Sequence, residues 1–331
     1  MKRLVITGER QAEFEEVEMP ACASDGVIVK ARVTTISTGT EIRVFRAKSV
    51  DDEGRFMHAN VPYALPCENG YSMVGEVVEV GGEVADLTVG ERVFVPMPHK
   101  EYAAVAAGNV IRLPDAIPDE HAVLLSILGV AHQGIRQGEP PVGGNAAVVG
   151  QGVIGLSMTA FCLAFGMRTV ALDTDPVRLE IARRMGVRLA ANALDPQAVA
   201  STVALFDNDG ADVAYEASST WPGIRTAMEV TRQDGTVVVV SRNTSDPDFN
   251  PVGNPFLEKR LRLVTSYAFP SESNRWSKAR SFALTLDLLA NSKLNLDPML
   301  THIFGWNDLP EVYRRLDEGD RSIVGTTIRW G

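Results

Sequence analysis

Apolar and polar positions recur with two different periods along the chain, and the change of period divides it. Near the start, Val27-Ile28-Val29-Lys30-Ala31-Arg32-Val33 alternates in part and residues 73–80 alternate more cleanly, as strands with one solvated face do. Gly81-Gly82 ends the second run, and residues 89–95 read as a third strand. Short strands punctuated by Gly and Pro predict a barrel-like β domain.

From about residue 118 the period becomes helical. The pattern predicts helices over 122–137, 154–165, 176–185 and 224–231, alternating with strands at 146–149, 169–172, 213–215 and 236–240. Strand and helix in turn at this spacing give right-handed crossovers and a parallel, doubly wound sheet, so the fold class is α/β. A helix over 278–290 and a strand near 326–329 close the chain. The expected domains are 118–269 for the parallel sheet and 1–117, completed by 270–331, for the β domain. Residues 146–165 are apolar enough to suggest a membrane span. Gly150, Gln151, Gly152 and Gly155 interrupt them, and a buried strand turning into a buried helix fits better.

Composition narrows the function. At 45% hydrophobic and 22% charged residues, the 331-residue chain is a folded globular protein rather than a disordered one. Lys and Arg total 32 against 42 Asp and Glu, a net charge of −10. Nucleic acid and anionic membrane are thereby poor partners, since both need a basic face. Three widely spaced cysteines (Cys22, Cys67, Cys162) make no disulfide framework and suit a reducing compartment. The apolar run after Met1-Lys2-Arg3 is too short for a signal peptide, so a cytoplasmic location is expected.

Gly150-Gln151-Gly152-Val153-Ile154-Gly155 is a GxGxxG set between the predicted strand and helix, the context that gives this weak pattern meaning. Gly150 permits the tight turn, Gly152 lets a pyrophosphate approach the backbone, and Gly155 lets the helix pack on the sheet. The N-terminal turn of that helix, with Val153 and Ile154, faces the phosphate charge. The next strand ends in Asp173, 18 residues after Gly155, near the spacing of a ribose-binding acid. A carboxylate there repels a 2′-phosphate, which predicts NAD over NADP. Asp173 is alternatively a helix cap, a task that Thr174 or Asp175 can also perform. Arg178 is assigned to the adenosine side or to a solvated helix face, and Ala217 and Ser241 complete the expected cofactor set.

Ile36-Ser37-Thr38-Gly39-Thr40-Glu41, Gly70-Tyr71-Ser72-Met73-Val74-Gly75, residues 89–93, Glu216-Ala217-Ser218 and residues 300–304 together resemble the medium-chain dehydrogenase/reductase superfamily over nearly the whole length. The resemblance implies a GroES-like catalytic domain, a Rossmann domain and a homodimer or homotetramer. Zinc alcohol dehydrogenases carry Cys-Gly-Thr-Asp at the first motif and Gly-His-Glu-x-x-Gly at the second. At their three ligand positions this chain has Thr38, Tyr71 and Ser126, none a normal zinc ligand. The four-cysteine lobe is missing, because residues 95–99 run directly into residues 102–104. The expectation is therefore a zinc-free member, with Cys67, Glu68 and His58 as an alternative, rearranged metal site. Val130-Ala131-His132-Gln133-Gly134 adds to a likeness with the bacteriochlorophyllide a dehydrogenase-like group. Members of that group oxidise a secondary alcohol, and many relatives sit in specialised biosynthesis.

Alcohol oxidation needs a hydride acceptor and a group that takes the hydroxyl proton. By the resemblance, Thr40 starts the proton relay and Tyr71 fills the vacated metal position, where its phenol can donate to a developing alkoxide. A free tyrosine has a pKa of about 10, so a base role needs a cation nearby; His132 and Arg43 are the candidates. Each also has a packing reading: Tyr71 as a space-filling ring, Thr40 as a turn hydroxyl, and His132 and His302 as structural histidines. Residues 43–58 either clamp an anionic substrate group or form a mixed-charge surface loop. The leading expectation is an NAD-dependent, zinc-independent secondary alcohol dehydrogenase. The alternatives are an NAD(P)H-dependent enoyl or quinone reductase and a non-catalytic NAD-binding regulator.

Overall fold

The computed structural model describes residues 1–48, 65–243, 245–267 and 276–331. These pack as two units, one of Met1–Ser126 with Leu300–Gly331 and one of Ile127–Met299.

The first unit opens on a hairpin of β1 (Lys2–Gly8) and β2 (Gln11–Glu16), which the hydrophobic pattern did not announce. Arg10 turns the chain at φ +55°, and contacts from outside the hairpin hold it there. Its N–H donates to the Phe45 carbonyl at 2.6 Å and its Nε to Asp317 at 2.9 Å. β3 (Gly26–Thr34), α1 (Thr38–Phe45), β4 (Cys67–Glu68), β5 (Met73–Val80), β6 (Arg92–Val95), β7 (Tyr102–Ala106), β8 (Ile111–Arg112) and α2 (Asp119–Ala122) follow. The strands predicted over 27–33 and 73–80 are β3 and β5. They pair antiparallel, and their inward residues Val27, Val29, Met73 and Val77 enter one core with Leu4, Ile6 and Phe45.

The helix predicted over 122–137 is α3 (Leu125–Gly138), which follows the short α2. The second unit continues with β9 (Asn145–Val149), α4 (Val153–Ala164), β10 (Arg168–Asp173), α5 (Pro176–Met185), β11 (Leu189–Asn192), α6 (Ala198–Leu205), β12 (Ala211–Glu216), α7 (Trp221–Val230), β13 (Thr231–Val239), α8 (Phe256–Lys259), β14 (Arg262–Thr265) and α9 (Lys278–Ala290). Its sheet is parallel throughout, in the order β11-β10-β9-β12-β13-β14. The order reverses between β9 and β12, and such a switch point opens a ligand crevice at the carboxyl ends of the strands. Val149, Leu172, Phe206, Met228 and Val237 fill the core on the sheet's face. Burying a side chain of this size contributes roughly 1.5–3 kcal/mol.

The chain then returns to the first unit as β15 (Leu300–Gly305), α10 (Leu309–Asp317) and β16 (Gly325–Arg329). This corrects the expected boundaries of 117 and 270. α9 packs within the second unit because Ser281 on α9 meets His132 on α3 at 2.7 Å, and only the segment from Leu300 completes the first. The apolar run 146–165 is β9 and α4, and no helix among the described residues is long and apolar enough to cross a membrane.

Candidate functional site

The glycine motif lies at the carboxyl end of β9. Gly150 has φ +89°, and a Cβ there would come 2.6 Å from the Ser218 nitrogen. A Cβ on Gly155 would fall 1.7 Å from the Gly150 carbonyl oxygen, so helix and turn touch backbone to backbone. Around Gly152 the space is open. Gly152 is the N-cap of α4 and brings no capping side chain, which leaves the first-turn N–H groups of α4, from Val153 and Ile154 onward, without a side-chain cap. Ala217 donates to Val149 at 2.8 Å and places its methyl near Gly155.

Asp173 ends β10, only 8% exposed. One carboxylate oxygen accepts from the Gln151 N–H and the other from the Asp175 N–H at 2.8 Å. The helix cap belongs to Asp175, whose carboxylate accepts from Val177 at 2.8 Å and Arg178 at 3.4 Å. Among the described residues of this unit, Arg178 at Nε, Arg242 at Nη1, and Asn243 at both Nδ2 and Oδ1 keep buried polar atoms without partners. Orphans of this kind are rare in folded proteins unless a ligand or ion completes them.

Glu216, fully buried at the end of β12, is a residue that the sequence marks only as part of a motif. It accepts from the Ser218 N–H and hydroxyl at 2.6 Å each, from the Ser219 N–H at 3.1 Å and from the Ser241 hydroxyl. Burial outweighs these bonds and pushes its carboxyl pKa up. It thus ties the loop after β12 to the loop after β13. An acid closing an otherwise apolar strand, as in Val170-Ala171-Leu172-Asp173, was the signal available for Val213-Ala214-Tyr215-Glu216.

In the first unit, Thr38 and Thr40 occupy the first turn of α1, behind the N-cap Ser37. Ser126 Oγ donates to the main-chain carbonyl of Tyr71 at 3.2 Å, and Ser72 Oγ donates to Val123 at 2.6 Å. Two of the three positions that the resemblance equates with zinc ligands are thereby brought together. Both carry hydroxyls. Arg43 is half-buried one turn further along α1.

The residues present do not fit the zinc that the family implies. Thr38, Tyr71 and Ser126 offer neutral hydroxyls, and among the described residues no group of three or more His, Cys, Asp or Glu is placed to hold a metal. Two members of the alternative, rearranged site are also turned apart. Cys67 and Glu68 are neighbours on β4, so their side chains leave opposite faces. Cys67 packs against the core, and Glu68 is committed to Lys100 at 2.6 Å and Arg3 at 3.4 Å. His58, like residues 49–57 of the expected anion clamp, lies outside the described residues.

His132 is corrected as a candidate for proton transfer. It is 2% exposed, faces Ser281 through Nδ1, and packs against Phe161, Phe165 and Trp276. Burial, with help from Arg136, lowers its pKa to about 4, so it is a neutral, structural histidine. His302, half-buried on β15, stacks on Phe304 at 5.4 Å and meets Thr301 at 2.9 Å.

What sequence reading missed is a buried cluster beneath α1. Glu41 and His99 are each 1% exposed and meet at 2.9 Å, and Tyr313 from α10 donates its hydroxyl to the same Glu41 oxygen. The Tyr313 phenol is held well above its ordinary pKa, by burial first and then by Glu41.

Comparison with known proteins agrees with this architecture. The alcohol dehydrogenase GroES-like domain profile matches residues 23–115, and the zinc-binding dehydrogenase profile matches residues 153–285. Together the two profiles match the two-domain organisation of the medium-chain dehydrogenase/reductase superfamily. Within it, the match is to the zinc-type alcohol dehydrogenase family of NAD(P)-dependent oxidoreductases, and the protein is an alcohol dehydrogenase-type enzyme. It is 28% identical to a D-guloside 3-dehydrogenase of Escherichia coli over 95% of both chains. It is 27% identical to an L-threonine 3-dehydrogenase of Serratia proteamaculans, over 96% of this chain and 97% of that one. Among solved structures, 2R,3R-butanediol dehydrogenase from Bacillus subtilis superposes with a TM-score of 0.84 at 22% identity, covering 100% of this chain and 99% of that one. Galactitol-1-phosphate dehydrogenase from Escherichia coli gives 0.85 at 17% identity over the whole of both.

Proposed function

We propose that this enzyme interconverts a secondary alcohol and a ketone on a small or medium-sized metabolite, using NAD and no zinc. The observation that carries the reading is the hydrogen bond from Ser126 to the Tyr71 carbonyl. It brings together two positions that the resemblance equates with zinc ligands, and neither residue there is a normal zinc ligand.

The second unit fits a dinucleotide. Gly150, Gly152, Gly155 and the uncapped start of α4, at Val153 and Ile154, suit a pyrophosphate. A carboxylate has about four lone-pair sites, so Asp173 retains acceptors for two ribose hydroxyls beyond the two N–H groups it already serves. The same carboxylate repels a 2′-phosphate, which favours NAD. Ala217, Ser241 and the orphaned atoms of Arg178, Arg242 and Asn243 supply further polar contacts. When bound, the nicotinamide supplies the hydride acceptor for oxidation and the donor for reduction.

The first unit handles the substrate oxygen. Tyr71 donates its phenol hydrogen bond to that oxygen as negative charge builds on it, taking over part of what a Lewis acid does elsewhere. In oxidation the substrate O–H proton passes to the Thr40 hydroxyl, whose own proton leaves to solvent. Thr38, Ser126 and Arg43 are assigned to substrate choice. The curated relatives support a secondary hydroxyl as the reacting group, their names specifying 3-dehydrogenases of a guloside and of threonine. A cytoplasmic homodimer or homotetramer belongs to the same proposal. The test is NADH absorbance over a panel of secondary alcohols and ketones, without added metal. Turnover unaffected by a chelator supports the reading, and turnover that appears only with zinc, or not at all, overturns it.

A further inference from the structure

Glu41 sits one residue after Thr40, and its carboxylate meets three hydrogen-bond partners. Oε1 accepts from the Ser37 N–H at 2.7 Å, while Oε2 receives the Tyr313 hydroxyl and faces His99 Nε2 at 2.9 Å. Beyond the imidazole, His99 Nδ1 meets Thr34 Oγ1 at 2.7 Å, and Thr34 accepts from Trp330 Nε1 at 3.0 Å. One arrangement satisfies every atom. His99 donates from Nε2 to the carboxylate and accepts at Nδ1 from the Thr34 hydroxyl, which itself accepts from Trp330. A doubly protonated ring would leave the Thr34 hydrogen without an acceptor among these groups.

The cluster reaches both hydroxyl-bearing segments. Through Ser37 it fixes the start of α1, which carries Thr38 and Thr40. On the other side, Asn69 Nδ2 donates to the Glu41 carbonyl at 3.1 Å, and the His99 N–H donates to the Asn69 carbonyl at 3.0 Å. The His99 ring lies so close to Gly70, at φ +96°, that a Cβ there would come within 2.7 Å of it. Tyr71 is the next residue. Its phenol is also near enough to Tyr313 to raise that group's pKa. Burying a carboxylate costs free energy even when it is hydrogen-bonded, and apolar replacements of similar volume are often as stable.

We propose that Glu41, held by His99 and Tyr313, is a positioning residue that sets the Thr40 and Tyr71 hydroxyls for the substrate oxygen. It does through hydrogen bonds what a metal would otherwise do in fixing the site. This rests on the alcohol dehydrogenase reading above, and the test separates the two. Glu41→Gln keeps the volume and loses the charge, while Tyr313→Phe removes one donor and serves if the first variant does not fold. Each is compared with wild type in alcohol turnover, NADH affinity by fluorescence quenching, and the ultraviolet titration of the Tyr71 phenol, assigned by its loss in Tyr71→Phe. The expected result for Glu41→Gln is a tenfold or greater fall in kcat, NADH affinity within twofold, and a lower Tyr71 midpoint because a nearby negative charge is gone. Unchanged kcat, or a Tyr71 midpoint that stays fixed while only thermal stability falls, overturns the proposal. Failure of the wild type to turn over any alcohol removes the function reading alone, since the Tyr71 titration still decides whether Glu41 controls that phenol.

Discussion

The Asp175 N–H donates to Asp173 at 2.8 Å, while the Asp175 carboxylate caps α5. The second acid thus takes the structural duty that either could have performed, and the first stays at the carboxyl end of β10 with acceptors to spare. Asp173 is therefore the residue expected to choose the cofactor.

Asp173→Ser should weaken NADH binding by about 1–3 kcal/mol, the cost of leaving polar groups without their hydrogen-bond partner. That is roughly 5- to 150-fold in Kd. NADPH should lose much less, or gain, because the repelling charge is gone. Fluorescence titration with both nucleotides checks this. A wild type that already prefers NADPH would show that the carboxylate does not lie at the ribose.

Zinc content follows from the chemistry of Thr38, Tyr71 and Ser126. Hydroxyl and phenol groups are not normal zinc ligands near neutrality. Protein purified without chelator should hold far less than one zinc per chain by elemental analysis, and dialysis against a chelator should leave turnover intact. One tightly held zinc per chain, lost together with activity, would contradict the hydroxyl site.

Much of the second unit was legible because its signals are local. The strands and helices of β9 to α5 fall within a residue or so of their predicted limits, since each apolar run is bounded by Gly, Pro or Asp. The first hairpin was not legible. Its turn uses Glu9-Arg10 rather than a residue that favours positive φ, and Asp317 and Phe45, distant in sequence, stabilise it. The same holds for the candidate site. Asp173 and the glycines form a contiguous pattern, whereas Glu41, His99 and Tyr313 meet only through the fold, and no spacing announces them. His132 misled in the opposite direction. A histidine in a family-like segment invited a chemical role, yet Ser281 and three aromatic rings enclose it.

That enclosure predicts an acid-sensitive stability. The pKa of His132 is about 4 in the folded chain against 6.5 when free, so the unfolded state binds the proton first. Stability should be full above about pH 6.5 and should fall as pH drops towards 4, by on the order of 2–3 kcal/mol from this group. His132→Gln retains hydrogen-bonding groups toward Ser281 but cannot titrate. Urea unfolding at pH 4.5 and 7.5 should therefore show a clearly smaller difference in the variant than in wild type. An equal difference would place the acid sensitivity elsewhere.

Tyr71 and Thr40 should matter to the chemical step and not to cofactor binding, because the glycine turn and Asp173 belong to the other unit. Tyr71→Phe keeps the ring, and with it any space-filling role, while removing the donor. The Ser126 bond survives the change, because it ends on the Tyr71 main chain. A lost oxyanion-type donor typically costs about 100- to 1000-fold in rate, whereas a passive ring should cost little. Thr40→Val likewise keeps shape and removes the hydroxyl, and it should lower turnover in oxidation with NADH affinity unchanged. Steady-state kcat measured beside the NADH Kd decides between the readings. Near-full turnover in Tyr71→Phe would make Tyr71 packing and leave Thr40 to meet the substrate oxygen, since His132 is buried and neutral; near-full turnover in both variants would take the chemistry away from this site.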